Sequence, residues 1–175
     1  MNNNVQNTST WPTTFGAIGI VIGGLSLFGA FLSLSGMSEI EQLQTATPFS
    51  TGVLNEQIST LLDSSGPSQW VESIVSIVMI LLSLVLIGAG MALQQRTFAS
   101  RAILLYWAAI YVATTMASTI WTWAPRRDLI ASSSEVKGIF VAHLVISLPL
   151  SLAFPTFLLW WLNRHHIRNE TALWR

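Results

Sequence analysis

Two ionisable residues, Glu72 and His143, stand just inside apolar stretches of this 175-residue chain, and its chemistry would begin there. An ionisable side chain in hydrocarbon is costly unless it is paired, so such a position defaults to a functional reading. A carboxylate beside an imidazole would relay or sense a proton, because imidazole changes charge near neutral pH. The structural alternative makes Glu72 a favourable charge on the first turn of its helix and gives His143 a neighbouring carbonyl as partner. One pair at one edge traces no path across a bilayer. Pro149 and Pro155 share the apolar stretch of His143. Each removes a backbone hydrogen bond, freeing the carbonyls of Val145 and Ser151, so a kink is expected, with Ser147 or Ser151 placed to re-satisfy the backbone. Broken helices line transporter sites, although prolines are also common in ordinary membrane helices.

The strongest pattern is one of packing. Gly16, Gly19, Gly23, Ser26, Ala30 and Ser33 recur at steps of three and four, giving one helix a face made wholly of small residues, with a GxxxG step from Gly19 to Gly23. Small residues let two backbones approach closely enough for dispersion and weak Cα–H contacts to hold helices together in lipid. The partner is either the protein's own second or fourth helix, or another subunit or second copy. Ser76, Ser83 and Gly90 at sevens, and Ser147 with Ser151 at four, are fainter seams suited to the intramolecular choice.

These residues must be positioned by four apolar stretches, roughly 15–35, 74–93, 102–123 and 138–162, none with an internal Asp, Glu, Lys or Arg. A hydrocarbon core about 30 Å thick needs about 20 helical residues, which each stretch supplies. Composition agrees: 51% of residues are hydrophobic and only 9% charged, too few charges to cover a soluble domain. The sequence therefore predicts an all-α membrane protein, a single four-span domain over 1–175. It is threaded as an up-down-up-down bundle with a polar leader (1–14), an outer loop (36–69) and a basic tail (163–175). The absence of cysteine excludes disulfides, thiolate catalysis and Cys-type zinc sites.

Charge sets the orientation. Residues 1–95 hold five acids and no Lys or Arg, whereas 96–175 hold all eight basic residues and three acids. Arg96, Arg101, Arg164, Arg168 and Arg175 fall on one side of the threaded chain, and Arg126, Arg127 and Lys137 on the other. The more basic side is cytoplasmic by the positive-inside rule, which places both termini there. The leader lacks the basic residues of a secretory signal, so the first span is expected to stay uncleaved. Trp11, Tyr106, Trp107, Trp160 and Trp161 near the inner level, with Trp70, Trp121 and Trp123 near the outer, read as interfacial anchors.

The outer loop carries its own signals. Ser38 to Glu41 has capping-box spacing, and Leu54, Ile58, Leu61 and Leu62 make one apolar stripe, so a short amphipathic helix is expected before the Ser64–Pro67 turn. The tail can continue span four as an interfacial helix, with Arg164, Arg168 and Arg175 on a face suited to anionic headgroups and Ile167 and Trp174 beside it. Adjacent His165 and His166 diverge by about 100° on a helix and form no chelate, so no metal site is read. The sequons at Asn7 and Asn169 would face the cytoplasm, where they carry no meaning.

Trp11-Pro12-Thr13-Thr14 before a Gly-rich span, and Leu158 to Arg164 followed by Ile167, Glu170 and Trp174, resemble small uncharacterised bacterial four-span inner-membrane proteins. That resemblance implies a location and no activity. The layout is also similar to that of tetraspan proteins such as claudins, but their paired loop cysteines and Trp-Leu-Trp motif are missing. With no HExxH, GxSxG or phosphate loop, neither an enzyme nor a cofactor is expected. Nor is a nucleic-acid partner, because the basic residues flank spans. The reading is a non-enzymatic interaction or accessory membrane protein whose partners are the lipid bilayer and a second copy or another membrane protein. A small-solute or proton-coupled transporter using Glu72 and His143 is the alternative.

Overall fold

The computed structural model describes residues 9–34, 64 and 69–174, which are helical and turn in conformation, without strands. The elements are α1 (Trp11–Leu34), α2 (Gln69–Gln94), α3 (Ser100–Trp123), α4 (Arg127–Ser132), α5 (Ser134–Ala142), a π turn (His143–Ser147), α6 (Leu148–Leu162) and α7 (His165–Thr171). Four segments are long and apolar enough to cross a membrane: Trp11–Leu34, Trp70–Gln94, Ser100–Trp123 and Ser134–Leu162. The fourth starts earlier than its apolar run because Ser133 caps it, its side chain accepting from the Val136 amide at 3.4 Å. The amphipathic helix expected within 36–69 lies outside the described residues.

The short connection between α2 and α3 is closed by backbone geometry. The Arg96 amide donates to the Leu93 carbonyl and the Thr97 amide to that of Ala92, each at 3.1 Å, the paired bonds of a Schellman ending. That ending needs a left-handed residue, usually glycine, and here Arg96 adopts φ 55°. An arginine costs about 1 kcal/mol or more in that conformation. Its side chain gives something back, since Nη2 donates to the Ser9 carbonyl at 2.7 Å and ties the start of α1 to this turn.

Contacts between α1 and α2 fall in descending register, Gly16 with Gly90, Gly23 with Ser83 and Ser33 with Ser76, so these two helices run antiparallel. The same order holds between α3 and the fourth span, Arg101 with Leu162, Trp107 with Phe154 and Trp123 with His143. The buried core joins the two pairs toward one end. Leu86 and Leu93 of α2, Leu104 and Trp107 of α3, and Leu158 and Leu162 of α6 are all nearly inaccessible.

Two expectations are corrected. Trp107 is no interfacial anchor: it is 3% exposed and donates its indole N–H to the Leu82 carbonyl at 2.8 Å. One residue on from exposed Tyr106, and so about 100° further round the helix, it faces α2 instead of lipid. The tail does not continue span four either. Arg164 is extended (φ −63°, ψ 139°), and α7 then folds against the end of the bundle with Ile167 and Thr171 buried. Ile167 faces the core because that gives an isoleucine more contacts than an edge beside arginines does.

The prolines of span four behave differently from each other. Before Pro149 the helix widens into the π turn, with the Leu148 amide bonding the His143 carbonyl, so Pro149 sits in the first turn of α6 where a missing N–H costs least. Ser151 Oγ donates to the Leu148 carbonyl at 2.9 Å, and Ser147 points outward. Pro155 is fully buried. Beside it Thr156 Oγ1 bonds the carbonyls of Leu152 and Ala153.

Candidate functional site

The small-residue face of α1 lies against α2. Gly16, Gly19 and Gly23 are buried, and Ser26, Ala30 and Ser33 are partly so. A Cβ on Gly16 would stand 2.6 Å from the Gly90 carbonyl oxygen, and one on Gly90 would stand 2.7 Å from the Gly16 carbonyl oxygen. These are backbone-to-backbone contacts that only glycine on both sides permits. At Gly23 a Cβ would meet Ile87 Cγ1 at 2.7 Å and the Ser83 carbonyl oxygen at 3.1 Å, whereas at Gly19 the nearest atom is Leu86 Cδ1 at 3.6 Å. Further along, Ser33 and Ser76 share a hydroxyl hydrogen bond of 3.0 Å. Ser76, Ser83 and Gly90, spaced by sevens, are all buried in this contact, so the seam's partner is the protein's own second helix.

Glu72 is exposed on the first turn of α2. His143 belongs to the other helix pair. Its ring lies 5.7 Å from that of Trp123, which also meets Phe140 at 5.1 Å. Nε2 of His143 and Nε1 of Trp123 are both buried without a hydrogen-bond partner among the described residues. No hydrogen bond joins that imidazole nitrogen to Glu72, and the nitrogen gains nothing there to offset its desolvation. His143→Phe should therefore hold or raise the melting temperature, since it removes a burial penalty of about 1 kcal/mol and keeps an aromatic partner for Trp123. Thermal unfolding followed by size-exclusion fluorescence measures this. A clear drop in melting temperature would show that the imidazole does bind something the phenyl ring cannot. Among the described residues no three His, Asp or Glu gather as metal ligands.

The largest constellation of polar and aromatic groups joins the two ends of the chain. Trp11 Nε1 donates to Glu170 Oε2 at 2.9 Å, and the Trp11 ring stacks on Trp174 with centroids 5.5 Å apart. Phe15 meets Phe157 at 5.5 Å and Trp161 at 5.6 Å. Arg164 covers Trp160, its guanidinium carbon 3.8 Å from the ring centroid, a cation–π distance. Arg101 reaches from α3 to the same place, Nε donating to the Leu162 carbonyl at 2.9 Å and Nη2 to Asn163 Oδ1 at 3.5 Å. Sequence reasoning singled out Trp11, Glu170 and Trp174 separately and missed that they meet. The available signal was the density of aromatics at one predicted depth.

No protein-family model, curated protein or solved structure matches this chain. The class rests on its own features. A chain whose described residues form helices and turns, with four long apolar segments among them, is a multi-pass membrane protein.

Proposed function

We propose that this is a non-enzymatic accessory protein of the inner membrane, working through contact with another membrane protein or with a second copy of itself. One observation carries the reading. The small face of α1 is spent on α2, and the opposite flank keeps Val21, Leu25, Phe28 and Phe31 more than 60% exposed. These bulky side chains recur at steps of three and four. Apart from its first turns, where Trp11 and Phe15 meet α6 and the tail, α1 offers the rest of its perimeter to lipid or to a partner helix, and the segment 36–69 is a second contact surface outside the membrane. Glu72 and His143 lie on different helix pairs, which favours this reading over proton-coupled transport.

The proposed threading is up-down-up-down with both termini cytoplasmic and a short helix in the first outer loop. It is supported by the gathering of Arg96, Arg101, Arg164 and Arg168 toward the end where the α2–α3 turn meets the tail. The chain has no native cysteine, so Thr45→Cys and Ile130→Cys can be labelled singly. Both should react with an impermeant maleimide from outside the cytoplasm, and labelling of both only from the cytoplasmic face reverses the threading. Crosslinking from Leu25 or Phe28 in native membranes, followed by identification of the product, tests the contact reading. Crosslinks to lipid alone at both positions would remove that flank as a protein interface.

A further inference from the structure

A groove of about 390 Å³ runs along the outside of the bundle between α3 and α6, lined by Arg101 and Asn163 at one end and by Leu105, Tyr106, Ala109 and Leu159. We propose that it seats one anionic phospholipid, the phosphate on the free edge of Arg101 and an acyl chain along the apolar floor.

The guanidinium is already held in place. Its bonds to the Leu162 carbonyl and Asn163 occupy two of five N–H groups, and the other three have no partner among the described residues. The charge of Arg168 of α7 acts on it as well, and no carboxylate among the described residues lines the groove. Glu170, on the same tail helix, is committed to Trp11. A held guanidinium with N–H groups to spare and no acid in the lining favours an anion, and a phosphate oxygen pair matches the fork of an arginine. The rest of the lining selects a lipid over a free anion. One and two turns below Arg101 the surface becomes Leu105 and Ala109, facing Leu159, the order of headgroup and chain in a phospholipid. Tyr106, 72% exposed, adds an amphipathic ring to the lining.

The test is native mass spectrometry of the purified full chain in mild detergent, titrated with phosphatidylglycerol, with phosphatidylcholine of the same acyl chains, or with inorganic phosphate. One phosphatidylglycerol should be retained about fivefold or more in preference to phosphatidylcholine, and inorganic phosphate should not displace it. Arg101→Gln should weaken retention about fivefold, and Arg168→Gln, which removes a charge acting on Arg101 from outside the lining, should weaken it less. Ala109→Phe should weaken it by filling the apolar floor with the charges untouched. Arg164→Gln should leave it unchanged, since the Arg164 guanidinium is stacked on Trp160. Because Arg101 also holds the end of α6, Arg168→Gln and Ala109→Phe carry the test if Arg101→Gln fails to fold. Equal retention of the two lipids, or an equal loss in Arg164→Gln, would reduce the site to a diffuse basic surface. Indifference to Ala109→Phe, or displacement by phosphate, would overturn the lipid seat.

Discussion

Gly16→Leu, Gly23→Leu and Gly90→Leu should each abolish the folded protein, whereas Gly24→Leu, one residue from Gly23, should leave yield and melting unchanged. The difference is geometric. Beyond its own stretch of helix, no described residue comes within 4 Å of a Cβ added to Gly24, while at Gly16 and Gly90 the obstruction is the opposing backbone itself. A clashing side-chain tip can rotate away. A carbonyl in a helix cannot, so α1 and α2 would have to separate, at a cost above the 1–3 kcal/mol of ordinary overpacking. Alanine grades the effect more finely. Gly16→Ala and Gly90→Ala should still destabilise, Gly23→Ala less so because Ile87 can yield, and Gly19→Ala should be tolerated with its nearest contact at 3.6 Å. Detergent-solubilised yield and melting temperature across the series measure it. Equal melting of Gly16→Ala and Gly19→Ala would contradict the packing described.

The seam shows how much of this fold a sequence states openly. In lipid the hydrophobic effect no longer sorts side chains into core and surface, so apolarity marks the spans but not their faces. What marks a face is size, and the glycines and serines of α1 do so at helical spacing, as do Ser76, Ser83 and Gly90. The pattern left the choice of partner open because a flat helix face carries no address. Contacts to Gly90 and Ser83 supply one. The cluster of Trp11, Glu170 and Trp174 was hidden for a different reason, since it is made by residues 159 apart in sequence whose meeting depends on the turn at Arg164. Arg164 carries no turn signal of its own. Trp107 was misread because a tryptophan near a span end satisfies its N–H equally well at a headgroup or at a neighbouring helix. Position along the chain does not tell which.

Trp107 also ties the two helix pairs together, which makes its loss the second large effect. Its ring stands between α2 and α6, with Tyr111 at 5.1 Å and Phe154 edge-on at 6.2 Å, and its N–H reaches the Leu82 carbonyl. Two contributions are separable by substitution. Trp107→Phe keeps one aromatic ring, loses the hydrogen bond, for which about 0.6 kcal/mol is typical between membrane helices, and vacates the space of the second ring of the indole. Trp107→Ala opens a cavity among Leu82, Leu86 and Phe154, and partial collapse still leaves a loss of about 3 kcal/mol. In a bilayer the transfer part of that figure shrinks, because a tryptophan on a separated helix is solvated by lipid. The cavity part does not, because the vacated space loses dispersion contacts whatever the surrounding solvent. The expected outcome is a small decrease in melting temperature for Trp107→Phe and a several-fold larger one for Trp107→Ala. The α1–α2 pair should meanwhile stay associated, since its seam lies elsewhere on α2. Single cysteines at Ser33 and Ser76, crosslinked in each background, would report that association. Loss of the Ser33–Ser76 crosslink in Trp107→Ala would show that the two helix pairs fold as one unit.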